Sequence, residues 1–186
     1  MNIPNKKVKI PGALHEIHGR EAYLFDILVN YATGIGATVF ILFLSTNLDL
    51  SMLKMILLGI LALDLSGGVV SNFTSGTSNY YAASNKLRIL FIGIHFIQPL
   101  LLGWIFADYW PAIAIIGSFS LLAAFLINSL HHYHLQKTVA PFFLVAAIII
   151  TVISNIDNAP LFIMMLLFVV KLILAFPVKW EQSTKV

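Results

Sequence analysis

Six stretches of roughly 20 mostly apolar residues follow one another along the chain, parted by short polar connections. They run approximately over 23–45, 50–72, 87–107, 110–130, 138–156 and 159–179. That is the length an α-helix needs to cross the hydrocarbon of a bilayer. Composition agrees: of 186 residues, 59% are hydrophobic and 10% are charged. A soluble domain carries about 25% charged residues, so this chain cannot cover itself with polar surface. The expected fold is an all-α integral membrane protein, a six-transmembrane-helix bundle. A basic N-terminal arm over 1–22 precedes a transmembrane domain over 23–180 and a short tail over 181–186. Neighbouring spans are expected to run antiparallel, because the connections are short.

Charge sets the expected orientation. The N-terminal arm, the 73–86 and 131–137 connections and the C-terminal end hold Lys6, Lys7, Lys9, Arg20, Lys86, Arg88, Lys137, Lys179 and Lys185. The other side holds only Lys54, beside Asp49, Asp108 and Asp157. Lysine and arginine gather on the cytoplasmic side, so both termini are expected there, in a plasma membrane of bacterial type. The same rule accounts for the net charge of +3 without nucleic acid as a partner. Lys6, Lys7 and Lys9 are not followed by an apolar core before Pro11, so this stretch reads as an arm and not as a secretory leader. The sequon at Asn72–Thr74 falls in a connection assigned to the cytoplasm and is read as chance. Trp104, Tyr109 and Trp110 at one boundary and Trp180 at the other match an aromatic belt.

Within the spans, "LALDLSGGVVSN" at 61–72 places a carboxylate, Asp64, inside an apolar run. Helical spacing puts Asp64, Gly67, Gly68, Ser71 and Asn72 on one face. The first span carries Asp26, Asn30, Thr33 and Gly34 at similar spacing; the third carries Arg88, His95, Gln98 and Pro99; the sixth carries Lys171. At 1.5 Å rise per residue, Asp64, Asn30, His95 and Lys171 all lie roughly 10 Å inside the cytoplasmic boundary. A charge in hydrocarbon costs about 2.5–3.5 kcal/mol at least, so these residues are expected to face one another. They define a polar pocket in the cytoplasmic half, with an outer half of Leu, Ile, Val and Phe that is sealed. Pro99, with no N–H, is expected to free a backbone carbonyl in mid-span.

The six histidines all fall toward the cytoplasmic side. "HEIH" supplies His15 and His18; "HHYH" supplies His131, His132 and His134; His95 is in a span. Positions three apart share a helix face, and neutral imidazoles suit zinc or iron. "HEIH" and "HHYH" distantly resemble the histidine boxes of membrane lipid desaturases and hydroxylases. Those families use HxxxH and HxxHH boxes, so the spacing departs and no family is assigned. There is no cysteine, which excludes disulfides and thiolate chemistry. No P-loop, dinucleotide fingerprint, HExxH or GxSxG is present.

These features point first to a metal-dependent membrane-embedded enzyme acting on a lipid or lipophilic substrate at the cytoplasmic leaflet. Asp64 and His95 are the expected catalytic pair. Asn30, Asn72, Gln98 and Arg88 are expected to bind substrate, and His15, His18, His95, His131, His132 and His134 to ligate zinc or iron. Membrane lipid and a homo-oligomeric assembly are the expected partners. The alternative is a small proton- or ion-coupled transporter or channel using Asp64, His95 and Lys171, and a third reading is a non-catalytic subunit whose polar stripes bind a partner helix.

Overall fold

The computed structural model describes residues 6–130 and 132–179, with Tyr133 described by its backbone alone. His131 and Trp180, both singled out in the sequence, lie outside these residues, as does the tail over 181–186.

The chain enters through a small hairpin. Strand β1 (Lys7–Lys9) pairs antiparallel with β2 (Glu21–Tyr23), with Val8 opposite Ala22. Pro11 cannot donate to a ladder, and the chain leaves the sheet there. One short helical turn, α1 (His15–His18), fills the connection and ends at Gly19, whose φ of 74° suits glycine. A Cβ at Gly19 would stand 2.0 Å from the Gly76 carbonyl oxygen, so the turn docks there by direct backbone contact.

Five helices among the described residues are long and apolar enough to cross a membrane. They are α2 (Leu24–Leu44), α3 (Met52–Phe73), a broken pair α5 (Asn85–Ile94) and α6 (Ile97–Ile105), α7 (Trp110–Ser129) and α8 (Tyr133–Ile153). The short α4 (Ser75–Ala82) lies between α3 and α5. The sixth apolar stretch forms α9 (Ala159–Val169), which passes into a π-helical segment over Val170–Ala175; together they span 17 residues. The six expected spans are thus five full-length helices and one shorter apolar helix.

Burial also sets that shorter helix apart. Leu161, Met164, Met165, Phe168, Val169, Leu172 and Ile173 are all fully buried. A helix that is apolar on every side belongs at the centre of a bundle. The others surround it and turn apolar side chains outward, such as Val39, Phe43, Phe142 and Ile153. A bilayer is the solvent such faces require. Helices α2 and α3 cross closely where Gly34 meets Gly67, since a Cβ on Gly34 would lie 3.6 Å from the Gly67 Cα. Small residues permit this approach between apolar helices.

The two ends of the bundle differ. Lys7, Lys9, Arg20, Lys86 and Lys137 accompany the hairpin. At the opposite end Lys54 donates to the Ile105 carbonyl at 3.2 Å and stands over the Trp104 ring, while Tyr109 hydrogen-bonds Asp157.

Replacing Gly19 by alanine is expected to dislodge the hairpin and leave the helical bundle folded. Limited proteolysis in mild detergent would show new cleavage between Pro11 and Glu21, with the helical circular dichroism signal retained.

Candidate functional site

The site is assembled from three local irregularities. The first is the π-helical segment. There the Phe176 N–H bonds the Lys171 carbonyl at 3.1 Å, five residues back, and the helix widens. Such bulges inside helices recur at functional sites. The Lys171 side chain is 2% exposed and runs across α3. Its Nζ donates to the Asp64 carboxylate Oδ2 at 2.9 Å and to the Asp64 backbone carbonyl at 3.1 Å.

Gly68 makes that path possible. A Cβ there would fall 2.5 Å from Lys171 Cε and 2.7 Å from its Nζ. The two neighbouring glycines therefore have separate tasks: Gly67 admits α2, and Gly68 admits the lysine. Gln98 from α6 donates a further hydrogen bond to Asp64 Oδ2.

The second irregularity is the break between α5 and α6 at His95 and Phe96. Pro99 stands four residues after His95 and cannot supply the α-helical N–H to its carbonyl. The Gln98 N–H takes that acceptor instead, at 3.2 Å. His95 is thereby held inside the bundle, 6% exposed, with Nδ1 against the Phe91 carbonyl at 2.6 Å. Its ring packs on Phe91, which stacks on Phe176 at 3.7 Å, and Tyr81 meets both phenyl rings edge-on.

The third is α1, which roofs the site. Ser71 and Thr77 both donate to the Ile17 carbonyl, Thr77 at 2.6 Å. His18 is buried and contacts the Tyr31 hydroxyl through Nε2 at 3.2 Å. Burial lowers the His18 pKa below its usual 6.5, because the charged ring loses water.

Under this roof lies a cavity of about 410 Å³ between α2, α3 and α5. Asn30, Asp64, Asn72, His95 and Lys171 line it. Four of these are buried, while the Asp64 side chain is 51% exposed. Ile60, Leu63 and Ile94 form an apolar rim and are themselves exposed. The cavity thus opens sideways, between helices, on a face that a bilayer would cover.

Of the residues singled out in the sequence, the structure brings together Asp64, His95, Asn30, Asn72, Gln98 and Lys171. Arg88 lies elsewhere. Its guanidinium donates to Asn128 Oδ1 at 2.6 Å and to the Pro177 and Phe176 carbonyls at 2.7 and 3.4 Å, closing the end of the π-helical segment. His15 hydrogen-bonds the Ile10 carbonyl at 2.9 Å inside the hairpin. His132 and His134 are exposed beside the start of α8. Among the described residues no three His, Asp or Glu side chains gather as a metal site. The aromatic wall of Phe91, Phe176 and Tyr81 was not anticipated, since phenylalanine is ordinary in apolar spans. The Lys171 partner and the role of Gly68 also needed the fold.

Comparison of the chain with protein families, with curated proteins and with solved structures found no match.

Two outcomes follow from this geometry. Gly68→Ala is expected to displace the Lys171 ammonium from Asp64 while the bundle stays folded, whereas Gly36→Ala, with nothing within 4 Å of its Cβ, is neutral. Asp64→Leu alone should destabilise the protein by on the order of 3 kcal/mol, by leaving a buried ammonium unpaired, and adding Lys171→Met should recover most of it. Thermal unfolding of the variant set measures both.

The roof is expected to loosen in acid. A histidine whose folded pKa is depressed supports the fold while neutral, so its contribution is lost as the pH falls below 6.5. Hydrogen exchange of the α1 amides, corrected for intrinsic rates, should accelerate below that pH, and His18→Phe should flatten the response.

Proposed function

We propose that this chain is a membrane-embedded enzyme performing acid–base chemistry on a lipophilic substrate, entered from the cytoplasmic leaflet. The observation that carries this reading is the convergence of an ion pair and an imidazole on one side-opening cavity with an apolar rim. Cavities of this size suit small ligands or the polar end of a lipid. An intramembrane ionisable residue is by default a functional one.

In this reading His95 is the general base or acid. Its Nδ1 is engaged with the Phe91 carbonyl, which fixes the ring and leaves Nε2 for the reacting proton. Asp64, held by Lys171 and Gln98, provides the fixed negative charge that stabilises the imidazolium when it forms. Asn30 and Asn72 orient the substrate. In the metal-dependent form of the proposal, Asp64 and His95, the two ligand types that share the cavity, would be the residues to hold zinc or iron, which would activate water or oxygen. The lysines at the hairpin end support a cytoplasmic side for that end.

The transporter reading has less support. It needs a polar route through the opposite half. There Ser120, Thr151 and Ser154 each return their hydroxyl to a carbonyl of their own helix, at 2.7–2.8 Å.

The test is lipid turnover by the purified chain in nanodiscs with a total bacterial lipid extract, followed by mass spectrometry and elemental analysis. The expected result is conversion of one lipid class, reduced about 100-fold or more in His95→Gln. Turnover unchanged in His95→Gln overturns the role given to that residue. Proton flux without any lipid turnover overturns the enzyme reading in favour of transport, and a stoichiometric metal lost with Asp64→Asn names the cofactor.

A further inference from the structure

The cavity presents a hydrogen-bonding pattern that its own side chains leave incomplete. Asn30 and Asn72 line it, each 4% exposed. Neither side-chain amide nitrogen has a hydrogen-bond partner among the described residues. Buried donors are normally satisfied, so two unmet amides on one cavity mark the place of an acceptor oxygen.

His95 supplies the complement. The Phe91 carbonyl, 2.6 Å from Nδ1, can only accept, so Nδ1 carries the ring proton. In the neutral ring Nε2 is then a bare acceptor. A hydroxyl answers both demands: its proton goes to Nε2, and its oxygen accepts from the amides.

Charge separates a hydroxyl from a phosphate. Asp64 and Lys171 neutralise each other at 2.9 Å. The remaining charged residue on the lining is Glu16, an acid. An anionic headgroup would find no free cation there. The rim of Ile60, Leu63 and Ile94 offers the exit for alkyl chains.

We propose that the cavity binds a neutral lipid alcohol, one or more alkyl chains ending in an uncharged hydroxyl-bearing headgroup. This rests on the reading of the cavity as a lipid site and names its ligand. The hydroxyl sits between His95 Nε2 and the amides of Asn30 and Asn72, and the chains leave past Ile60, Leu63 and Ile94.

The experiment uses the full chain in phosphatidylcholine nanodiscs. The probe is a diacylglycerol with a diazirine in one chain, and labelling is mapped by peptide mass spectrometry. Competitors with the same chains are unlabelled diacylglycerol, its methyl ether and phosphatidic acid. The expected result is labelling around Ile60–Gly68 and Ile94, displaced by the alcohol at about tenfold lower concentration than by the ether or the acid. Equal displacement by the ether, or better displacement by phosphatidic acid, overturns the alcohol assignment and leaves the cavity a lipid site. No labelling of the cavity by this probe or by diazirine versions of the ether and the acid overturns both this inference and the lipid-site reading beneath it.

Discussion

The ion pair between Lys171 and Asp64 is the constraint around which the hairpin end of the bundle is arranged. Each charge alone would cost about 2.5–3.5 kcal/mol or more inside the hydrocarbon. Together they form a neutral unit, but only if a lysine on the central helix can reach a carboxylate on α3. Gly68 clears the path, the π-helical segment carries the lysine, and Gln98 holds the carboxylate from the third side. Arg88 then closes the carbonyls left at the end of that segment. A sequence change at any of these points would be felt at the pair.

Irregular backbone is tolerated among apolar helices where it lines a cavity or finds alternative partners. All three irregularities here meet that condition. The α5–α6 break passes the His95 carbonyl to the Gln98 N–H. The π-helical segment borrows donors from Arg88. The α1 turn gives the Ile17 carbonyl to Ser71 and Thr77. The polar cavity is what these departures have in common. In the opposite half the Ser120, Thr151 and Ser154 hydroxyls bond carbonyls of their own helices.

Much of the candidate site was legible in the sequence. Asp64, His95, Asn30, Asn72, Gln98 and Lys171 stood out because polar groups inside apolar runs are rare and costly. Pro99 announced a missing N–H, a local fact, but not that the Gln98 N–H would take up the His95 carbonyl it leaves. The histidine spacing did not tell which groups the rings meet. Helical spacing places His15 and His18 three apart, yet one bonds within the hairpin and the other turns to Tyr31. Arg88 followed the polar stripe in sequence and was drawn instead to helix-end carbonyls. Spacing orders residues on one helix and says nothing of which neighbour they meet.

The sequence by itself determined the material of this protein: apolar runs of membrane-spanning length, one strongly basic side and a polar set at one depth. Those follow from composition and from the 1.5 Å helical rise, which any sequence displays before it folds. Only the tertiary structure decided that the last apolar stretch is the buried centre, that Lys171 and not a histidine is the partner of Asp64, and that the cavity opens sideways. The reason is physical. Pairing and access depend on which helices touch and how closely, and that is set by glycine contacts and packing between segments far apart in the chain.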